Sequence, residues 1–349
     1  MIAFIQKLAR GEALSLDESR QAMAFIMEGR ATAAQVAAYL TALAIKGPTA
    51  DEIAGAALTM REKATRIEVG DLRVIDTCGT GGTGRKCFNV STLAALVAAG
   101  AGAYVAKHGN RGATSRCGSS DVLEALGVNI QADPATVGRC IRQAHMGFLF
   151  APLLHGAMKF AAPVRKEIGI RTVFNLLGPL TNPAGARRQV IGVFDPDLVE
   201  MMAAVLVRLG AEHALVVHAY DGLDEITLAG PTRAAEVRGG TVRTFEIRPE
   251  DLGLARRDQP CSAKPATQGG AETGPRLESP EEGAAIVRAI LAAEKGPRRE
   301  TVLANSAAAI YVAGLAGTLR EGVARAAESL DSGAAGRVLE RLIEVSHGR

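Results

Sequence analysis

Aromatic side chains are scarce in this chain of 349 residues, which has no tryptophan and only 4% aromatic residues in total. Proteins that bind single-stranded nucleic acid without sequence preference stack the bases on aromatic rings, so the composition does not indicate that class. An excess of one charge is also lacking, because 40 basic and 37 acidic residues leave a net charge of +3. This balance gives no electrostatic argument for a nucleic-acid partner.

Cysteine occurs only five times, and no two cysteines have the Cys-x-x-Cys spacing. An odd number without paired spacing favours reduced thiols over a disulfide framework or a zinc site. The amino terminus lacks the layout of a signal peptide. The most apolar stretch, residues 93–106, is interrupted by glycine and is too short to span a bilayer. We therefore expect a cytoplasmic protein without a membrane partner.

Glycine, by contrast, is abundant, and four glycines fall within residues 76–84. The segment before them, 72–75, is predicted to be a short buried strand, and Ser91 to Ala99 is predicted to be a helix. Glycine allows positive φ and close approach of a ligand to the backbone, and a helix N-terminus attracts anions. The loop therefore predicts a phosphate or pyrophosphate site, although its spacing matches neither the Rossmann nor the Walker motif. A turn that only connects two elements is an equally good interpretation of the loop alone.

The pattern of apolar residues predicts an α/β protein with two parts. Residues 1–70 are expected to form a small all-helical domain, with capping boxes at Ser15/Glu18, Thr32/Gln35 and Thr49/Glu52. From residue 71 to 349, strands alternate with helices, which is typical of a mostly parallel central sheet. Residues 256–277 are rich in Pro, Gly, Gln and Ser and are predicted to be a flexible surface excursion.

Three polar loops follow predicted strands, at residues 76–92, 107–119 and 221–225. In an open parallel sheet, ligands bind beyond the carboxyl ends of the strands, so we expect these loops to meet. The first offers backbone N–H groups and hydroxyls, the second Lys107 and Arg111, and the third Asp221, Asp224 and Glu225. Because Mg²⁺ is held by carboxylates together with phosphate oxygens, the combination predicts a phosphorylated substrate with bound Mg²⁺. Taken alone, Asp224-Glu225 is better interpreted as a solvated turn and Lys107-His108 as the end of a surface loop. The spacing around Arg165, taken alone, favours an ordinary ion-pair partner on a helix surface.

Several long motifs follow one another in the chain: DTCGTGG at 76–82, FNVST at 88–92, KHGNR at 107–111, SDVLEALG at 120–127, the segment 171–185, DGLDEI at 221–226 and RPEDLGL at 248–254. In sequence and in order, these motifs resemble those of the anthranilate phosphoribosyltransferase family. The resemblance implies the nucleoside phosphorylase/phosphoribosyltransferase type of fold, with a helical domain completed by about residues 165–185. It also implies a homodimer through the helical domains, Mg²⁺ as cofactor, and transfer of phosphoribosyl from 5-phosphoribosyl 1-pyrophosphate (PRPP) to anthranilate in tryptophan biosynthesis.

The resemblance implies a role for individual residues, carried over position by position. The residues expected to contact PRPP are Gly79, Gly82, Thr83, Cys87, Asn89, Val90, Ser91, Thr92, Lys107, His108, Gly109, Asn110, Arg111, Gly112, Ala113, Thr114, Ser115 and Ser119. Anthranilate is expected to contact Gly79, His108, Asn110, His155 and Arg165, and Mg²⁺ is expected to be held by Ser91, Asp224 and Glu225. No catalytic acid or base is assigned, since positioning and electrostatic stabilisation suffice for this chemistry.

The chain departs from the family pattern at three positions: Thr83, Cys87 and Gly156 stand where the family usually has Asp, Thr and Pro. Two alternatives are therefore kept. The first is a paralogue that uses another aromatic amine. The second is a non-catalytic relative that binds nucleic acid, which would show a basic face and would have lost residues such as Arg165, Asp224 and Glu225.

Overall fold

The computed structural model describes residues 1–82, 88–112, 117–257, 277 and 279–349. Its amino-terminal part is a helical bundle of α1 (Ile2–Ala9), α2 (Leu16–Met27), α3 (Ala33–Lys46) and α4 (Ala50–Lys63). All three predicted capping boxes are confirmed. Glu52 also accepts a hydrogen bond from the Leu14 N–H at 2.9 Å, so this capping residue ties the loop before α2 to α4. Gly55 lets these helices approach closely, because a Cβ there would lie 2.3 Å from the Leu16 carbonyl oxygen.

A seven-stranded sheet follows, and the prediction that it is mostly parallel is confirmed. Its spatial order is β3-β2-β1-β4-β5-β6-β7, with parallel pairing as far as β5 and antiparallel pairing of β6 and β7. The strands are β1 (Val74–Asp76), β2 (Tyr104–Gly109), β3 (Met146–Phe150), β4 (Arg188–Gly192), β5 (His213–Ala219), β6 (Thr232–Arg238) and β7 (Thr241–Ile247). The sequence interpretation missed β6, whose buried side chains include two alanines instead of the large branched residues typical of strands.

The remaining helices cover the sheet and connect its strands. They are α5 (Val90–Gly100), α6 (Ser119–Ala125), α7 (Pro134–Ala144), α8 (Ala151–Leu154), α9 (Ala162–Ile168), α10 (Phe174–Leu177), α11 (Leu198–Arg208), α12 (Pro280–Leu291), α13 (Pro297–Ala313), α14 (Leu319–Asp331) and α15 (Ala334–Ser346). The predicted irregular helix between His155 and Leu177 is divided into short pieces, with 3-10 turns at Gly156–Phe160 and Gly178–Leu180. Prolines near the starts of α9 and of the second turn, and Gly169 in the left-handed conformation after α9, account for the breaks.

Two large apolar cores lie on the two faces of the sheet. One contains side chains from α5, α13 and α15. The other joins the helical bundle, residues 161–180 and α11 to the opposite face. The segment 161–180 therefore packs with the bundle although it is distant in sequence. No helix among the described residues is long and apolar enough to cross a membrane. The predicted excursion falls almost entirely outside the described residues.

Candidate active site

A cavity of about 300 Å³ lies at the carboxyl edge of β1 and β2. It brings together residues of the first two predicted loops, Glu225 from the third, and residues of the segment 151–179. The predicted site residues on its wall are Gly79, Gly82, Asn89, Ser91, Lys107, His108, Gly109, Asn110, Arg111, Gly112, Ser119, Arg165 and Glu225. The expectation that the loops share one edge of the sheet is therefore met.

The glycine loop is shaped by close backbone contacts at its start and by positive φ further on. The Thr80 N–H donates to the Gly192 carbonyl at 2.8 Å, and a Cβ on Gly79 would lie 2.9 Å from that oxygen. Gly192 is itself pressed against the loop after β5, since a Cβ there would lie 1.8 Å from the Asp224 carbonyl oxygen. Gly81 and Gly82 have φ values of 64° and 88°, which L side chains rarely adopt. The glycines are therefore required by this geometry and do more than connect two elements.

Lys107 places a buried cation beside this loop. Its side chain is only 1% exposed, and Nζ lies 3.4 Å from the Thr77 carbonyl oxygen and from the Ser91 hydroxyl. Asp76, fully buried below it, accepts hydrogen bonds from the His108 N–H at 3.2 Å and from the Asn182 amide at 2.7 Å. Burial raises the pKa of Asp76 to about 6, against the opposing pull of the Lys107 charge and of these hydrogen bonds. The end of β2 thus presents a fixed positive charge to the cavity.

Two carboxylates and a hydroxyl form an all-oxygen group at the side of the cavity. Asp224 and Glu225 are 4% and 8% exposed, and both line a small adjoining cavity together with Ser91. Carboxylate and hydroxyl oxygens are the hard ligands that Mg²⁺ prefers. The donor set therefore fits the ion that the sequence predicted. Asp221, in contrast, lies outside both cavities and accepts a hydrogen bond from the Thr227 hydroxyl at 2.7 Å, so it shapes the turn.

Asn305, on α13, holds the backbone next to these carboxylates, and sequence reasoning missed this role. Its side-chain oxygen accepts from the Ile226 N–H at 2.9 Å, and its amide donates to the Ile226 and Thr301 carbonyls, each at 2.9 Å. The only signal in the sequence was a polar residue at the start of an otherwise apolar helical stretch.

Two neutral histidines are buried at the cavity: His108 lines its wall, and His155 lies behind His108. A carbonyl can only accept, so His108 Nδ1–H donates to the Gly178 carbonyl at 3.0 Å. His108 Nε2 then accepts from His155 Nε2–H at 3.2 Å. Burial lowers the pKa of His108 to about 3, with a further contribution from His155, and it lowers the pKa of His155 to about 4. Neither imidazole carries a positive charge at pH 7.

The segment that packs on the bundle supplies two arginines, one on the cavity wall and one bound to the glycine loop. Arg165 lines the cavity, and its guanidinium lies 4.9 Å from the centre of the Phe174 ring. Burial lowers its pKa, and it forms no ion pair with any described residue, which argues against the interpretation of an ordinary helix-surface pair. Arg171 donates to the Gly82 carbonyl at 2.7 Å and stacks on Phe194. This second contact, also missed from the sequence, joins the segment to the glycine loop.

Other predicted site residues take different places. Val90 and Thr92 are buried in the first turn of α5, off the cavity wall. Arg111 lines the cavity but forms ion pairs with Asp121 and Glu124, each at 2.8 Å. The remaining predicted residues, Thr83, Cys87, Ala113, Thr114 and Ser115, lie outside the described residues.

A helical bundle joined to an α/β domain, with the cavity at the carboxyl edge of the sheet, defines the class of protein. Residues 2–64 match the model of the glycosyl transferase family helical bundle domain, and residues 71–336 match that of the glycosyl transferase family a/b domain. Both halves of the architecture therefore belong to one known class of transferases.

Individual relatives narrow this class. The chain is 53% identical to anthranilate phosphoribosyltransferase from Symbiobacterium thermophilum, over 99% of this chain and 98% of the relative. The crystal structure of anthranilate phosphoribosyltransferase from Thermus thermophilus superposes with a TM-score of 0.88 at 45% identity, covering 99% of each chain. The Saccharomyces cerevisiae enzyme in complex with PRPP and Mg superposes with a TM-score of 0.86 at 28% identity, over 100% of this chain and 98% of that one. The chain belongs to the anthranilate phosphoribosyltransferase family.

Proposed function

We propose that this protein transfers the phosphoribosyl group of PRPP to the amine of anthranilate, releasing N-(5-phosphoribosyl)anthranilate and pyrophosphate, as a step of tryptophan biosynthesis. The observation that carries the proposal is the cavity itself. It is lined on one side by the glycine loop and buried Lys107, and on the other by Arg165 and residues of the segment 151–179. The names of the relatives, and the yeast enzyme seen with PRPP and Mg, support it.

In this reaction the amine nitrogen forms a bond to C1 of the ribose as the bond from C1 to pyrophosphate breaks, and the nitrogen gives its proton to solvent. Negative charge builds on the leaving pyrophosphate, where preorganised donors are most effective. The glycine loop and Lys107 line the cavity in which this charge would develop. Ser91, Asp224 and Glu225 would hold Mg²⁺, which when bound neutralises charge on the phosphate oxygens.

The acceptor would lie against the wall formed by the segment 151–179. The Arg165 guanidinium can hold the anthranilate carboxylate through two parallel hydrogen bonds, with Asn110 and Gly79 on the facing wall. His108 and His155 are neutral, so they add no competing cation for that carboxylate. An aryl amine is itself neutral at pH 7, which removes the need for a strong general base.

The proposal includes a cytoplasmic homodimer that associates through the helical domain, taken as residues 1–70 completed by about 165–185. Two exposed apolar side chains on the bundle support this surface, Ile2 at 61% and Ile45 at 82% exposure. The reduced thiols of Cys78, Cys117 and Cys140 suit a reducing compartment.

A steady-state assay of anthranilate against a panel of aryl amines, with PRPP and Mg²⁺, tests the function. We expect anthranilate to give the highest kcat/KM, with one pyrophosphate released per product formed. Turnover of another amine without turnover of anthranilate would select the paralogue. Absence of turnover with every amine, combined with tight binding of nucleic acid, would select the non-catalytic relative.

A further inference from the structure

A second cavity, of about 410 Å³, lies at the opposite edge of the sheet. Its wall includes Arg188 at the start of β4, His213 at the start of β5, and Arg238 at the end of antiparallel β6. The loop after α13 closes another side. Because parallel strands begin at this edge, the cavity is separated from the candidate active site by the length of the sheet.

The acidic groups at this cavity already have partners within the protein. Glu212 forms ion pairs with Arg187 at 3.3 Å and with Arg188 at 3.2 Å. Arg188 also donates to the last carbonyls of α13. The Glu321 carboxylate accepts from the Gly317 N–H at 2.8 Å and lies in the first turn of α14, where the helix dipole favours a negative charge.

The floor of the cavity is polar, and its side chains are hydrogen-bonded to the Glu236 carboxylate. His213 is 5% exposed, and its Nε2–H donates to Glu236 at 3.0 Å. The Tyr311 hydroxyl donates to the same carboxylate at 2.7 Å, and Arg243 pairs with its other oxygen at 3.1 Å. Three donors from the protein thus already bind the Glu236 carboxylate.

The guanidinium groups of Arg238 and Arg325 are on the wall and form no ion pair or hydrogen bond with a described residue. Both side chains are exposed, so they reach solvent at the mouth of the cavity. Guanidinium groups present donors in a planar fork that matches the oxygens of a phosphate. A phosphate monoester carries a charge of about −1.5 to −2 at pH 7, which two such cations balance.

We propose that this cavity is a second ligand site, which binds a small phosphate monoester between Arg238 and Arg325. The phosphate lies at the mouth against the two guanidinium groups, and the rest of the ligand occupies the space above His213 and Tyr311. The site shares no residue with the candidate active site, so the proposal does not depend on the function proposed above.

Equilibrium dialysis of the full-length protein against radiolabelled inorganic phosphate, at constant ionic strength, tests the site. We expect the Arg238→Gln/Arg325→Gln variant to bind one phosphate fewer per chain than the wild type. The matched control is Arg66→Gln/Arg298→Gln, which removes the same charge from two exposed arginines that line neither cavity. The control is expected to bind as the wild type does, and thermal unfolding of all three proteins verifies that they are folded.

Equal phosphate binding by the two double variants would overturn the proposal, because the loss would then follow net charge and not this cavity. A second arm uses glycerol 3-phosphate as competitor. It is expected to displace the phosphate that only the wild type and the control bind, and failure to displace it would rule out a monoester site.

Discussion

The two walls of the candidate active site are built in different ways. The wall of the α/β domain consists of strand ends, and its charged groups Lys107, Asp224 and Glu225 are each less than 9% exposed. The opposite wall consists of short helical turns that pack with the helical bundle, and its arginines are more accessible. Developing charge needs groups that are fixed in advance, whereas recognition of an acceptor needs only a complementary surface. We infer that the first wall sets the chemistry and the second wall selects the acceptor.

Loss of the carboxylates on the first wall should have the largest effect. We expect Asp224→Asn with Glu225→Gln to lower kcat/KM by roughly 10²- to 10³-fold, the range found when groups that stabilise transition-state charge are removed. Both side chains are buried, so isosteric amides are preferred to alanines. Initial rates against Mg²⁺ concentration measure the effect. Asp221→Asn, on the same loop but outside the cavity, is the control and should retain activity.

Arg165→Ala tests the second wall. The loss of a charge-assisted, two-pronged contact of about 2 kcal/mol should raise the KM for anthranilate by roughly 30-fold, with little change for PRPP. Aniline lacks the carboxylate, so its KM should be the same in the variant as in the wild type. Lys166→Ala, an exposed neighbour on the same helix, is the protein control. An unchanged anthranilate KM would remove Arg165 from the site.

Asn305→Ala asks whether the first wall depends on support from α13. Groups that orient metal ligands typically contribute 10- to 100-fold in metal affinity, so we expect affinity for Mn²⁺, used as a paramagnetic substitute, to fall at least about 10-fold. Electron paramagnetic resonance of free Mn²⁺ measures this without turnover. Ser306→Ala, at the next buried position of the helix, should bind Mn²⁺ normally. An equal loss of Mn²⁺ affinity in both variants would show that Asn305 contributes only to packing.

The buried histidine pair predicts a smaller, pH-dependent effect on stability. The folded pKa of His155, about 4, is below the ordinary unfolded value near 6.5. The contribution of neutral His155 to the free energy of unfolding is therefore present above pH 6.5. It is lost as the pH falls towards 4, because the unfolded chain binds the proton first. From pH 7.5 to 5.5, wild type should lose about 1 kcal/mol more unfolding free energy than His155→Gln. Chemical denaturation at the two pH values measures the unfolding free energy, and exposed His347→Gln is the control. Equal losses of unfolding free energy in wild type and His155→Gln would contradict the prediction.

The first wall could be predicted from the sequence and the second only in part, for a physical reason. Glycine spacing, a strand before it and a helix after it are local signals, and the rule for parallel sheets brought the three loops together. The contacts of Asn305 with Ile226 and of Arg171 with Gly82 join residues 79 and 89 positions apart. No local pattern reports such contacts. Arg165 was assigned only through the family resemblance, since its spacing alone favoured a surface ion pair.

We infer that the donor and the acceptor are held by different walls. Isothermal titration calorimetry of Mg²⁺–PRPP and of anthranilate, each with wild type, Arg165→Ala and Asp224→Asn/Glu225→Gln, measures the two tasks separately. Arg165→Ala should weaken anthranilate binding by roughly 30-fold and leave the PRPP dissociation constant unchanged, whereas Asp224→Asn/Glu225→Gln should weaken PRPP binding and leave the anthranilate dissociation constant unchanged. If each variant weakens both ligands by the same factor, the two walls do not have separate tasks.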